Sequence, residues 1–166
     1  MTQASSFVAF TIAGTRYGID VGGLTEVVNM VALTPVPESP ARASGRKTVA
    51  GLVNVRGRVL PVISLRALLS LPETAPTLAT RILIVRSRSE SVGLIVDAVQ
   101  GVLAPEPERL TRVQPRVAGE GGSDVLSAIY QEPDGMVLLL DMEALLGHAD
   151  IVGFGESAGT LAGSGS

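Results

Sequence analysis

Residues 7–21 read FVAFTIAGTRYGIDV. This stretch contains an apolar run, a short turn with a glycine, and a second run that returns to apolar residues, a pattern typical of a β-hairpin. Short apolar runs, separated by Gly, Pro or Asp at intervals of roughly 8 to 12 residues, follow along the chain. The sequence therefore predicts an all-β fold. The run at residues 24–28 is too short to distinguish a strand from a helical turn.

Two parts of the chain are related to each other. The matching segments are residues 7–10 with 82–85 and 17–19 with 92–94 at an offset of 75, and 51–53 with 128–130 and 64–69 with 141–146 at an offset of 77. The order of elements is the same in both parts, and each ends in a short helix. This repeat predicts two small antiparallel barrels of about five strands each.

The repeat also predicts how the chain is divided. We expect a flexible N-terminus at residues 1–6 and a folded region at 7–147, with a first half at about 7–72 and a second at about 80–147. An exchange of strands between the halves stays open. Residues 148–166 contain many Gly, Ala and Ser, and they are predicted to form a disordered tail.

Composition excludes several kinds of function. The chain has 166 residues, 46% of them hydrophobic, which predicts a packed core, and its net charge of −3 disfavours nucleic acid as a partner. It has no cysteine and one histidine, His148, so thiolate metal sites, disulfides and His-rich metal clusters are excluded. No apolar stretch reaches the roughly 18 residues of a membrane span, so direct membrane insertion is not expected and a cytoplasmic location is.

The sequence offers no catalytic group and no cofactor motif in a suitable context. Carboxylates are scattered through turn-like segments without a serine or histidine placed to form a relay. An enzymatic or small-ligand barrel that uses Asp97 and Asp141 is kept as an alternative, and it requires a polar pocket that holds both carboxylates.

The most distinctive segment surrounds Arg56-Gly57-Arg58, between two apolar runs. One interpretation is a hairpin in which Gly57 takes a positive φ and the arginines are solvated. In the other, the exposed guanidinium of Arg56 binds a carboxylate or backbone carbonyl of a partner protein. The residues alone leave both interpretations open.

Several segments, in their order along the chain, resemble the CheW-like coupling domain of bacterial chemosensory systems. These are residues 7–10, 17–21, 26–27, 34–37, 51–57 (GLVNVRG), 60–66 (LPVISLR) and 92–99 (VGLIVDAV). The resemblance extends from about Phe7 to Gly147. It implies a non-enzymatic adaptor built from two SH3-like five-stranded barrels that share a hydrophobic junction, with short helical turns.

The resemblance also implies partners and a site. The partners are the regulatory domain of a CheA-type histidine kinase and the cytoplasmic tip of a chemoreceptor, which would recruit the protein to chemoreceptor arrays. A CheW-like competitor or insulator that binds a receptor but no kinase is the alternative. The receptor-binding candidates, carried over by position, are Leu24, Glu26, Gly51, Asn54, Arg56 and Gly57. We expect Glu26 and Arg56 to form a charge-assisted pair.

Two features depart from the family pattern. Ser64 stands where the family has an aspartate before Leu-Arg, which puts a turn-stabilising hydrogen bond in question. The loop at residues 38–47 is longer than usual in the family and carries Arg42, Arg46 and Lys47. Either its positive charge tunes partner choice, or the loop is a tolerated surface insertion.

Overall fold

The computed structural model describes residues 5–36, 49–87, 90–113 and 125–147. The predicted tail at 148–166, residues 1–4 of the predicted flexible N-terminus and the loop at 38–47 lie outside these residues. The elements in chain order are β1 (Phe7–Ile12), β2 (Thr15–Asp20), β3 (Leu24–Asn29), β4 (Val49–Val55), β5 (Arg58–Ser64), α1 (Leu65–Leu68), β6 (Arg81–Ser87), β7 (Glu90–Val96), β8 (Ala98–Leu103), β9 (Leu110–Arg112), β10 (Leu126–Glu132), β11 (Gly135–Leu140) and α2 (Met142–Gly147).

The strands form two sheets, which confirms the all-β class. One has six strands in the order β8-β1-β2-β11-β10-β9, and the other has five in the order β3-β6-β7-β5-β4. Each sheet combines strands from residues 7–72 with strands from residues 80–147. The pairs β2 with β11 and β5 with β7 are parallel. The predicted pair of closed, antiparallel five-stranded barrels is therefore wrong in detail, since the sheets are open and not wholly antiparallel.

The five-stranded sheet shows why closure is incomplete. Its edge strands β3 and β4 share no ladder, and one bridge beyond β3 joins them. Thr34 donates to and accepts from the Leu52 backbone, at 2.8–2.9 Å. The bridge needs a glycine beside it, because a Cβ on Gly51 would lie 2.8 Å from the Leu33 Cβ and 2.9 Å from the Thr34 oxygen. In the described part of the chain, this bridge supplies the backbone hydrogen bonds between the two edges of the sheet.

A shared core lies between the two sheets and forms the predicted hydrophobic junction. Its fourteen buried residues come from strands of both sheets and from the helices. They are Val8, Phe10, Ile12, Ile19, Ile63, Leu65, Leu83, Val85, Val92, Leu94, Val96, Leu140, Leu145 and Leu146. Tyr17 packs against this junction core and stacks on Phe10, and burial raises the pKa of its hydroxyl.

Each sheet also has its own smaller core, and the two smaller cores correspond through the repeat. One contains Val53, Leu60, Val62, Ile82 and Ile84. The other contains Phe7, Ala9, Tyr130 and Val137, with Leu139 packed against it. At the offsets of 75 and 77, each residue of the first core falls on a residue of the second. The sequence repeat is therefore a repeat in packing.

The parallel strand pairs follow the same relation. Val62 faces Gly93 where β5 meets β7, and Leu139 faces Gly18 where β11 meets β2. Both glycines are required by space. A Cβ on Gly93 would lie 2.7 Å from the Ile82 Cγ2 and 3.3 Å from the Val62 Cγ2, and one on Gly18 would lie 2.7 Å from side-chain atoms of Leu139 and Phe7.

The two helices begin with equivalent caps. The Ser64 hydroxyl accepts a hydrogen bond from the Ala67 amide at 3.2 Å, and Asp141 accepts from the amides of Glu143 and Ala144. Serine and aspartate are both good N-caps, so the turn keeps its hydrogen bond despite the departure at Ser64. The helices span four and six residues, and no helix in the described part of the chain is long and apolar enough to cross a membrane.

We expect Gly93→Ala to lower the free energy of unfolding by about 1–3 kcal/mol, because the new methyl group meets a branched side chain that has little freedom to move. Urea denaturation measures the change. Gly147→Ala is the matched control, since a Cβ there meets nothing within 4 Å. Equal stability of the two variants would contradict the packing role of Gly93.

Candidate functional site

The segment singled out in the sequence forms a tight two-residue turn. Arg56 and Gly57 have φ values of +53° and +83°, and they join β4 to β5 directly. Positive φ at both central residues is the geometry of a type I′ hairpin turn. Asn54 stabilises it, because its Oδ1 accepts a hydrogen bond from the Gly57 amide at 2.9 Å. The predicted positive φ of Gly57 is confirmed, and Arg56 shares it.

Arg56 therefore occupies a backbone conformation that L residues adopt at a cost of about 1 kcal/mol or more. Its side chain is 81% exposed, so burial does not offset this cost. The same pair of positive φ values occurs at Ala13 and Gly14 in the β1–β2 turn, so this conformation follows from the two-residue turn. The turn aims the guanidinium outward from a rigid base.

Glu26 lies against Arg56, as expected. The Arg56 Nε and the Glu26 Oε2 are 3.2 Å apart, and the glutamate side chain is only 25% exposed. Glu26 belongs to β3 and Arg56 follows β4, so the pair joins the two unpaired edges of the five-stranded sheet. Glu26 engages Nε, and no other described residue holds the two Nη groups, which leaves their hydrogen-bond donors available.

The other candidates have different surroundings. Asn54 and Gly57 are exposed beside Arg56, so they share its surface. Leu24 is partly buried and packs against the junction core. Gly51 is buried beneath Leu33 and Thr34, and its position supports the closing bridge of the sheet. The structure thus brings Glu26, Asn54, Arg56 and Gly57 together. Leu24 and Gly51 lie below this surface, on the strands β3 and β4 that carry Glu26 and Asn54.

Two apolar residues near the site were not singled out from the sequence. Val27 follows Glu26 and is 41% exposed, and Val59 follows Arg58 and is 48% exposed. Both valines add apolar surface to the strands that carry the Glu26–Arg56 pair and its turn. Strand alternation was an available signal for Val27, because its neighbours Glu26 and Val28 are the more buried residues of β3.

The carboxylates of the enzymatic alternative have structural partners. Asp97 makes a two-point ion pair with Arg66, at 2.6 and 3.2 Å, and it accepts a hydrogen bond from the Ala13 amide at 2.8 Å. Asp141 caps α2. In the described ranges, no three potential metal ligands cluster together. Both aspartates are thus accounted for by the fold.

Comparison with known proteins identifies the family. The model of the CheW-like domain matches residues 6–150. The chain is 28% identical to a probable chemotaxis protein CheW of Rhizobium etli over 143 residues (86% of this chain and 88% of that one), and 29% identical to the chemotaxis protein CheW of Helicobacter pylori (87% and 82%). The crystal structure of the scaffolding protein TtCheW from Thermoanaerobacter tengcongensis matches with a TM-score of 0.71 and 28% identity, covering 87% of this chain and 92% of that one.

The chain therefore belongs to the CheW-like domain family. It is a non-enzymatic chemotaxis scaffold, and the enzymatic alternative is excluded. The basis of its function is accordingly the surface it presents to other proteins, and the strained arginine hairpin is the most distinctive part of that surface.

We expect Arg56→Asn to raise the free energy of unfolding by about 0.5 kcal/mol, because asparagine tolerates a positive φ better than arginine does and the arginine of the lost ion pair is largely exposed. Urea denaturation again measures the change. Arg58→Asn is the matched control, because Arg58 lies on the extended strand next to the turn. If both variants lose stability equally, the strain at Arg56 is absent.

Proposed function

We propose that this protein couples the cytoplasmic tip of a chemoreceptor to the regulatory domain of a CheA-type histidine kinase. In this proposal it is cytoplasmic and is recruited to chemoreceptor arrays. The observation that carries the proposal is the geometry of Arg56: an exposed guanidinium, placed by a strained turn and oriented by a half-buried glutamate. Together with family membership, this favours a docking role for the β4–β5 turn.

The chemistry of the site suits a receptor surface. The free Nη groups of Arg56 form a planar fork that binds a carboxylate with two hydrogen bonds or caps backbone carbonyls. Glu26 beside it favours a partner that also presents a hydrogen-bond donor or a cation, so the pair binds two groups of the partner at once. Arg56 and Glu26 act as the polar contacts, and Val27 and Val59 supply nearby apolar area.

Arg56 also loses little conformational entropy when a partner binds. Because the backbone turn and the Glu26 ion pair already restrict the side chain, less conformational entropy is lost than for a free surface arginine. This preorganisation is the physical reason to assign recognition to Arg56 rather than to Arg58, which has no described ion-pair partner.

The kinase side of the proposal rests on the family and not on particular residues of this chain. The competitor or insulator alternative shares the receptor site and differs only in lacking the kinase contact. A binding experiment with both partners therefore decides between the two.

We expect Arg56→Ala to weaken binding to a receptor-tip fragment about tenfold or more, because it removes a preorganised multidentate cation from the interface. The measurement is a size-exclusion titration of the full chain against that fragment and, separately, against the kinase regulatory domain. Arg112→Ala is the matched control, since Arg112 is an exposed arginine on β9 of the other sheet.

The result expected from the proposal is binding to both partners, with only the receptor complex weakened by Arg56→Ala. Binding to the receptor fragment alone would favour the insulator alternative. Binding to neither partner would overturn the coupling function, and equal effects of Arg56→Ala and Arg112→Ala would overturn the site.

A further inference from the structure

Among the described strands, the chain passes from one sheet to the other at two places. Strands β1 and β2 belong to the six-stranded sheet, β3 to β7 belong to the five-stranded sheet, and β8 to β11 belong again to the six-stranded sheet. The first passage uses residues 21–23, and the second uses a single residue, Asp97. The position of one sheet relative to the other therefore depends on these two connections as well as on the junction core.

The first connection is anchored to the six-stranded sheet. It is a single 3-10 turn that contains two glycines. The Gly22 amide donates to the Asp20 Oδ1 at 2.7 Å, and the Val21 amide donates to the Ser6 carbonyl at 3.0 Å. Asp20 ends β2 and Ser6 directly precedes β1, so both acceptors lie on the same side of the passage. A turn rich in glycine resists bending only weakly.

The second connection is bonded to both sheets. The Asp97 amide donates to the Thr11 carbonyl at 2.9 Å, and the Asp97 Oδ2 accepts from the Ala13 amide at 2.8 Å, in the β1–β2 hairpin of the six-stranded sheet. The same carboxylate accepts from the Arg66 Nε at 3.2 Å and from the Arg66 Nη2 at 2.6 Å. Arg66 lies in α1, which directly follows β5 of the five-stranded sheet. The Asp97 carboxylate therefore joins one element from each sheet.

The guanidinium of Arg66 is fully engaged in this arrangement. Its Nη1 donates to the Pro72 carbonyl at 2.9 Å, so all three of its nitrogens are hydrogen-bonded. The side chain of Arg66 is only 15% exposed, and that of Asp97 is 33% exposed. A planar, two-point arginine–carboxylate pair has a defined geometry, and burial makes the loss of either partner costly.

We propose that Arg66, Asp97 and the Ala13 amide form a clamp that fixes the six-stranded sheet in one orientation relative to the five-stranded sheet. The junction core attracts apolar faces without preference for direction, whereas the hydrogen bonds of the clamp are directional. The β4–β5 turn lies on the five-stranded sheet, so the clamp also fixes the position of that turn relative to the six-stranded sheet. The clamp is independent of the proposed receptor binding, because its test uses the free chain.

Amide hydrogen exchange on the unmodified chain tests whether the clamp forms in solution. Ala13 and Gly14 are the central residues of the exposed β1–β2 turn and both have a positive φ, but among the described contacts only the Ala13 amide has an acceptor, Asp97. We expect the Ala13 amide to exchange about tenfold more slowly than the Gly14 amide, after correction for intrinsic rates. Equal exchange of the two amides would overturn the proposal, and this measurement needs no substitution.

Pulsed electron paramagnetic resonance between two spin labels measures the orientation of the sheets. The chain contains no cysteine, so labels attach only at Arg58→Cys on β5 and Thr111→Cys on β9, two exposed positions on different sheets. We expect Asp97→Asn to broaden the distribution of label-to-label distances about twofold or more, because it leaves the buried Arg66 without a carboxylate.

Glu132→Gln is the matched control. Glu132 also forms an ion pair at 2.6 Å and of comparable exposure, with Arg16, but both residues belong to the six-stranded sheet. We therefore expect Glu132→Gln to leave the distance distribution unchanged. Equal distributions in Asp97→Asn and the unmodified chain would overturn the proposal. Equal broadening in Asp97→Asn and Glu132→Gln would also overturn it, because the effect would then follow from the loss of any ion pair.

Discussion

The hydrophobic junction between the two sheets is the constraint on which the rest of the molecule depends. It buries fourteen residues, drawn from strands on both sides and from the helices. Neither sheet is built from one half of the chain alone, and each contains a parallel pair between strands of different halves. The two sheets therefore stabilise each other, and the parallel pairs explain why glycine stands at positions 18 and 93, where a methyl group has no room.

The proposed receptor-binding surface depends on this arrangement. The edge strands of the five-stranded sheet approach each other without forming a ladder, and among the described residues the Thr34–Leu52 bridge, the Glu26–Arg56 pair and the smaller core of that sheet connect them. The ion pair thus lies where a closed barrel would have continuous backbone hydrogen bonds. An open edge allows charged side chains to project where a ladder would otherwise run, and it leaves the β4–β5 turn accessible to other proteins.

Much of the fold could be predicted from the sequence, because the sequence contains an internal repeat. The offsets of 75 and 77 matched the hairpins, and the structure shows the same offsets in the smaller cores and in the strand pairs at Gly18 and Gly93. Closure was mispredicted, because it depends on how the segment after β3 approaches β4, and a contact between Thr34 and Leu52 leaves no periodic signal. The positive φ of Gly57 followed from its residue type, whereas that of Arg56 arises because a two-residue turn requires both central residues to adopt it. Gly51 was placed among the site residues by position, and the structure adds a packing requirement at this residue, because Leu33 and Thr34 leave no room for a Cβ.

The most direct test of the coupling account is whether this protein joins its two partners in one complex. Sedimentation velocity on a mixture of the receptor-tip fragment, the kinase regulatory domain and this chain measures the mass of the assembly. The account predicts a species that contains all three components and disappears when this chain is omitted. If the receptor fragment and the kinase domain displace one another, so that each complex holds only one of them, the protein does not act as a coupling scaffold.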